Sequence, residues 1–118
     1  MSELVRATVV FGRYGEAAVP LGSSILEAAR IGGIPQGSAC GGVCACSTCH
    51  VYVKEGAPCL SEMEDEENDI LDKAFDVRAN SRLGCQARLE RPGRVVVDVS
   101  RESFEAYVNE HPNERDRW

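Results

Sequence analysis

The sequence predicts an α+β domain in which a small mixed sheet packs on one helix and a second helix is strongly acidic. The main observation is the order of elements, which reads strand, strand, helix, loop, strand, helix, strand, strand. Two capping-box matches, Ser24-Ile25-Leu26-Glu27 and Ser61-Glu62-Met63-Glu64, each mark a helix start. The 118 residues, 43% of them hydrophobic, suffice for one modest core and lie outside the disordered compositions.

Leu4 to Phe11 is rich in Val and Thr and reads as a strand. Gly12-Arg13-Tyr14-Gly15 reads as a turn, and Ala17 to Leu21 as the returning strand. The first helix starts at the Ser24 cap, runs through Ala28-Ala29-Arg30 and stops at Gly32-Gly33. After a cysteine-rich loop, Val51-Tyr52-Val53 forms a short strand. Pro58 breaks the chain, and the second helix is expected from the Ser61 cap to Phe75 or Asp76. Leu83 to Leu89 and Arg94 to Val99 read as strands separated by a turn at Pro92-Gly93. From Arg101 the chain is charged; the spacing of Phe104, Tyr107 and Val108 allows one docked helical turn, and residues 111–118 read as a frayed tail. The expected organisation is a domain over residues 1–100 and a charged, partly flexible C-terminal extension over 101–118.

A net charge of −6 and a pI near 4.9 argue against nucleic acid, which calls for a basic face, and suit basic partners. No apolar run approaches the roughly 18 residues of a membrane span, and the first residues show no secretory signal. Six cysteines would permit a disulfide scaffold, but four of them crowd into SACGGVCACSTCH, residues 38–50. Thiols crowded into one loop point to metal rather than to staples.

A structural zinc site usually takes two separated cysteine pairs, and here only Cys46 and Cys49 have C-x2-C spacing. A two-iron cluster commonly takes three thiolates from one loop and one from afar. Cys40, Cys46 and Cys49 read C-x5-C-x2-C, one residue longer than the plant-type loop. Small neighbours (Gly41, Gly42, Ala45, Ser47 and Thr48) let backbone amides approach cluster sulfurs. The fourth ligand is Cys85 or Cys59. Cys85 is favoured, because it sits where a loop enters a strand and Gly84 permits close backbone approach. A Rieske arrangement needs two histidine ligands, and the only histidine besides His50 is His111 in the tail.

The segments CGGVCACSTCHVYV, DEENDILDKAF and SRLGCQ, in that order, resemble the adrenodoxin-type 2Fe-2S ferredoxins, over about residues 4 to 100. That family includes mitochondrial ferredoxins, bacterial assembly ferredoxins and putidaredoxin-like carriers. The resemblance implies a β-grasp (ubiquitin-like) fold, a 2Fe-2S cluster on Cys40, Cys46, Cys49 and Cys85, and a His50 that hydrogen-bonds locally beside the cluster loop. It leaves Cys44 and Cys59 outside the ligand set. Cysteine often packs as a small hydrophobe, so Cys44 reads as a small buried filler, and Cys59 reads as a surface or semi-buried thiol.

Residues 61–76 carry eight carboxylates. On an ideal helix Asp65, Asp69, Asp72 and Asp76 fall within about 60° of one another, with Met63, Ile70, Leu71 and Ala74 opposite. Aligned aspartates repel one another and do nothing for the helix, which favours a role in docking. The resemblance implies that Asp65, Glu66, Asp69 and Asp72, with Phe75 beside them, meet basic surfaces of a flavin-dependent reductase and of electron acceptors. The expected function is one-electron transfer, not enzymatic catalysis, by a monomer that binds neither nucleic acid nor membrane. The acceptor would be a cytochrome P-450 monooxygenase or the iron–sulfur cluster assembly machinery; LDKAF and the segment after Val99 resemble the assembly branch. The compartment would be the bacterial cytoplasm, or the mitochondrial matrix if a transit peptide has been removed. The alternative, a structural zinc module, predicts a colourless protein where the cluster predicts a brown one.

Overall fold

The computed structural model describes residues 6–36, 49–74 and 76–117. Strands β1 (Arg6–Val10), β2 (Glu16–Pro20), β3 (His50–Glu55), β4 (Ser81–Leu83) and β5 (Gly93–Val99) form one mixed sheet in the order β2-β1-β5-β3-β4. The β1–β5 pair is parallel and the other pairs are antiparallel. With a helix packed across the sheet, this is the β-grasp arrangement. Burial alternates along the strands and fixes the register. Ala7 and Val9 of β1, Ala17 and Val19 of β2, and Val95, Val97 and Val99 of β5 are all buried, while their neighbours face outward.

Helix α1 (Ile25–Gly32) begins at the expected capping box. Ser24 Oγ accepts the Glu27 amide at 3.1 Å, and Glu27 Oε1 accepts the Ser24 amide at 3.0 Å. It ends at Gly33, whose left-handed φ of 67° lets its amide turn back onto the carbonyls of Ala29 and Arg30. The helix buries Ile25, Ala28 and Ala29 against the strand valines, Phe11 and Phe104 in the main core.

The second helix departs from its expected bounds. Helix α2 spans only Asp65–Leu71, capped at Glu64 without a side-chain bond, so the Ser61 capping box does not form. Ser61 is held instead by tertiary contacts: its Oγ accepts the Arg88 amide at 3.1 Å and donates to the Gln86 carbonyl at 3.4 Å. A hydroxyl committed across the fold cannot also cap a helix. Met63, expected on the inner stripe, precedes α2 and is 37% exposed. Asp76 is not on the acidic stripe either, because the helix has ended and Asp76 takes a left-handed φ of 56°.

The expected strand Leu83 to Leu89 also shortens. Only Ser81–Leu83 is a strand; the chain then turns, and Arg88 and Leu89 make isolated bridges to Ser24 and Leu60. The docked turn after Val99 is a ten-residue helix, α3 (Arg101–Glu110), with Phe104 and Val108 in the main core. Residues 112–117, read as part of a frayed tail, form a 3-10 turn folded onto it. Tyr107 Oη donates to the Glu114 carboxylate at 3.0 Å, and the Tyr107 and His111 rings stack at 4.2 Å.

Candidate metal centre

A second, smaller core forms where β3 begins and β4 ends. It comprises Leu26, Cys49, Leu71, Leu83 and Cys85, with Ile70 and Ala74 packed against it. Each element contributes for a local reason. Cys49 immediately precedes β3, and Cys85 lies in the turn that leaves β4. Pairing of His50 with Leu83 in the β3–β4 ladder therefore brings the two cysteines together. The Cys85 amide donates to Cys49 Sγ at 3.4 Å, and Gln86 Nε2 donates to Cys85 Sγ at 3.5 Å. Both sulfurs thus accept N–H donors inside an apolar shell. That donor set stabilises negative charge on sulfur and fits two thiolate ligands of an iron–sulfur cluster.

The backbone approach is close at Gly84. The Gly84 amide donates to the Cys49 carbonyl at 2.9 Å, and Gln36 Nε2 donates to the same oxygen at 3.1 Å. A Cβ on residue 84 would collide with the Gln36 side-chain amide and lie 3.1 Å from that carbonyl. Gly84→Ala is expected to cost about 1–3 kcal/mol through this overpacking. Thermal melting checks it, together with the visible absorbance of the holoprotein.

Cys59 is placed elsewhere. It ends the 3-10 turn Ala57–Cys59, packs at the margin of the main core, and directs its thiol at the Pro92 carbonyl at 3.7 Å. Cys40, Cys44, Cys46, Gly41, Gly42, Ala45, Ser47 and Thr48 lie outside the described residues, as does Phe75.

His50 is fully buried, with Nε2 2.8 Å from Ser81 Oγ and Nδ1 3.8 Å from a Glu102 carboxylate oxygen. Burial holds its pKa below the usual histidine range, against the opposing pull of Glu102 and Asp76. Its backbone carbonyl accepts the Ser100 amide at 3.2 Å. This residue next to Cys49 thus touches β4 through its ring, and the start of α3 through its carbonyl.

On α2, Asp65, Glu66, Asp69 and Asp72 are all exposed, while Leu71 faces the small core. Glu67, one of the eight carboxylates of residues 61–76 and not part of the aspartate stripe, is only 2% exposed. Its two oxygens accept Arg82 Nε at 2.7 Å and Arg82 Nη2 at 3.0 Å, and Oε2 also accepts the Leu83 amide at 2.9 Å. One carboxylate therefore fastens α2 to β4, two residues before Cys85. The signal was present: Glu67 is one helical turn before Leu71, on the inward face.

The fit of these two cysteines to a cluster agrees with what the chain is similar to. Residues 11–90 match the family model of the 2Fe-2S iron-sulfur cluster binding domain. An adrenodoxin-like mitochondrial protein of Arabidopsis thaliana is 54% identical over 91 residues, covering 73% of this chain but only 46% of that protein. Among solved structures, the ISC-like [2Fe-2S] ferredoxin FdxB of Pseudomonas putida superposes with a TM-score of 0.70 at 37% identity, covering 80% of this chain and 92% of that one. The structure of a covalent putidaredoxin reductase–putidaredoxin complex gives 0.62 at 30% identity, covering 80% and 96%. Fold and family match define an iron–sulfur electron carrier. The chain belongs to the adrenodoxin-type 2Fe-2S ferredoxins. Its cofactor is a 2Fe-2S cluster.

Proposed function

We propose that this ferredoxin takes single electrons from a flavin-dependent reductase docked on α2 and delivers them to the iron–sulfur cluster assembly machinery or to a cytochrome P-450 monooxygenase. The observation that carries this reading is the two-sidedness of α2. Its inner residue Leu71 shares a core with Cys49 and Cys85, while Asp65, Glu66, Asp69 and Asp72 face solvent. A basic partner seated on those carboxylates comes close to the thiolates.

Cys40, Cys46, Cys49 and Cys85 are the proposed ligands. When bound, the cluster supplies one-electron exchange between its diferric and mixed-valence states. The chain's own groups bias that exchange. The Cys85 amide and the Gln86 side chain donate to sulfur and stabilise negative charge there. Leu26, Leu71 and Leu83 exclude water from the two sulfurs. The backbone amides of residues 41–48 and His50 are proposed to complete this surrounding. No substrate is turned over, and the carrier works as a monomer. LDKAF, residues 71–75, favours the assembly machinery as acceptor, and the ISC-like description of the FdxB neighbour points the same way. Partners pulled down from the source cell separate the two acceptor classes.

The docking face is tested by Asp69→Asn combined with Asp72→Asn. Complementary charge acts mainly on the encounter rate and fades as salt shortens the screening length to about 8 Å at physiological ionic strength. The double variant is expected to be reduced by a flavin-dependent ferredoxin reductase about tenfold more slowly at low salt. Its salt dependence should be flatter and its visible spectrum unchanged. Equal rates and equal salt slopes for the two proteins would remove α2 from the docking site.

A further inference from the structure

The segment leaving α2 is tied inward by an unusual set of contacts. Asp76 is the single non-glycine residue with positive φ among the described residues, at 56°. Its carbonyl accepts Tyr52 Oη–H at 2.8 Å, and its Oδ2 lies 3.4 Å from the same hydroxyl. Arg78 Nη2 donates to that Oδ2 at 2.8 Å, and the guanidinium carbon sits 4.4 Å from the centre of the Tyr52 ring. Tyr52 is buried in β3, and its ring meets the His50 ring edge-on at 4.7 Å. A buried phenol on the strand after Cys49 thus holds a surface residue in a conformation that L-residues seldom adopt.

The ion pair in this cluster adds little stability of its own. The Asp76 and Arg78 side chains are 49% and 59% exposed, and exposed ion pairs contribute little to folding. What the contacts do supply is position and charge. They fix the backbone just beyond the acidic helix, and they cancel the one aspartate that has left its stripe.

We propose that Tyr52, Asp76 and Arg78 are positioning residues for docking of a basic partner. They hold the segment beyond α2 against β3, and they end the negative face at Asp72 with a neutralised pair. The proposal rests on α2 being the docking face. Fixing the segment before the encounter removes an ordering cost from association, so its loss weakens binding without touching the electron-transfer step.

The test uses holoprotein and a flavin-dependent ferredoxin reductase, with the ferredoxin concentration varied. Tyr52→Phe keeps the ring, its packing and the net charge and removes only the hydroxyl. It is expected to raise KM three- to tenfold, with kcat within twofold and iron content and visible spectrum unchanged. Arg78→Met exposes the Asp76 charge and is expected to steepen the salt dependence of the reduction rate. An unchanged KM for Tyr52→Phe, an unchanged salt slope for Arg78→Met, or a joint fall of kcat, iron content and melting temperature would overturn the proposal. The Asp69→Asn, Asp72→Asn protein is run alongside. If it binds normally, the reading of α2 fails; if it is impaired while Tyr52→Phe is not, only the positioning role fails.

Discussion

Cys85→Ser is expected to yield a protein that cannot hold its cluster, with the visible absorption of the holoprotein essentially lost. A serine hydroxyl is a far weaker acid than a thiol and presents a harder, less suitable donor to iron. It also loses the sulfur that accepts the Gln86 side-chain amide at 3.5 Å. Cys59→Ser is the matched control. Its thiol faces the Pro92 carbonyl at the margin of the other core, so its replacement should leave iron, acid-labile sulfide and spectrum unchanged. Iron and sulfide are measured on both variants after anaerobic purification. A bleached Cys59→Ser beside an intact Cys85→Ser would reverse the ligand assignment, and stoichiometric zinc in colourless native protein would remove the cluster altogether.

Glu67→Ala should be the most damaging substitution on α2, although Glu67 is one of many carboxylates there. The change strips Arg82, itself only 13% exposed, of a bidentate partner and leaves the buried Leu83 amide without its acceptor. Breaking a buried pair from one side costs about 3–5 kcal/mol, which for a chain of this size lowers the melting temperature by about 10 °C or more. Arg82 Nη1 also donates to the Ser61 carbonyl at 2.8 Å, so the segment leading into α2 should loosen with it. Replacing both partners, Glu67→Met with Arg82→Leu, should recover part of the loss, because no charge is then stranded. Thermal melting of the holoproteins checks this. An alanine variant melting within about 2 °C of wild type, well under the shift expected for a buried pair, would show that the pair is dispensable. Exposed Asp69 and Asp72 should show the opposite pattern, with docking altered and melting unaffected.

The first half of the fold is legible because its signals are local. Ser24 and Glu27 lie three residues apart and satisfy each other's amides; Gly33 comes at the point where only a left-handed residue closes the helix. Short runs rich in Val, Thr and Ala, separated by Gly12-Arg13-Tyr14-Gly15, mark β1 and β2. The second half is harder to read, because equally good local signals lose to distant partners. Ser61-x-x-Glu64 has the same letters as the first capping box, but its hydroxyl bridges to residues 86 and 88. Leu83 to Leu89 is apolar enough for a strand, yet the turn that carries Cys85 interrupts it.

The sequence by itself determined the family, the cofactor class and the acidic character of α2, because each rests on residue type and short spacing: four cysteines within ten residues, SRLGCQ, and a run of carboxylates. Only the tertiary structure decided what two of those carboxylates pair with. Glu67 turns inward because Arg82 and the Leu83 amide await it on β4, and Asp76 leaves the stripe because α2 ends at Leu71 and the Tyr52 hydroxyl captures the Asp76 carbonyl. Neither partner lies within a helical turn of the residue it binds. A charge takes its role from whatever the fold places opposite it, and that pairing is non-local.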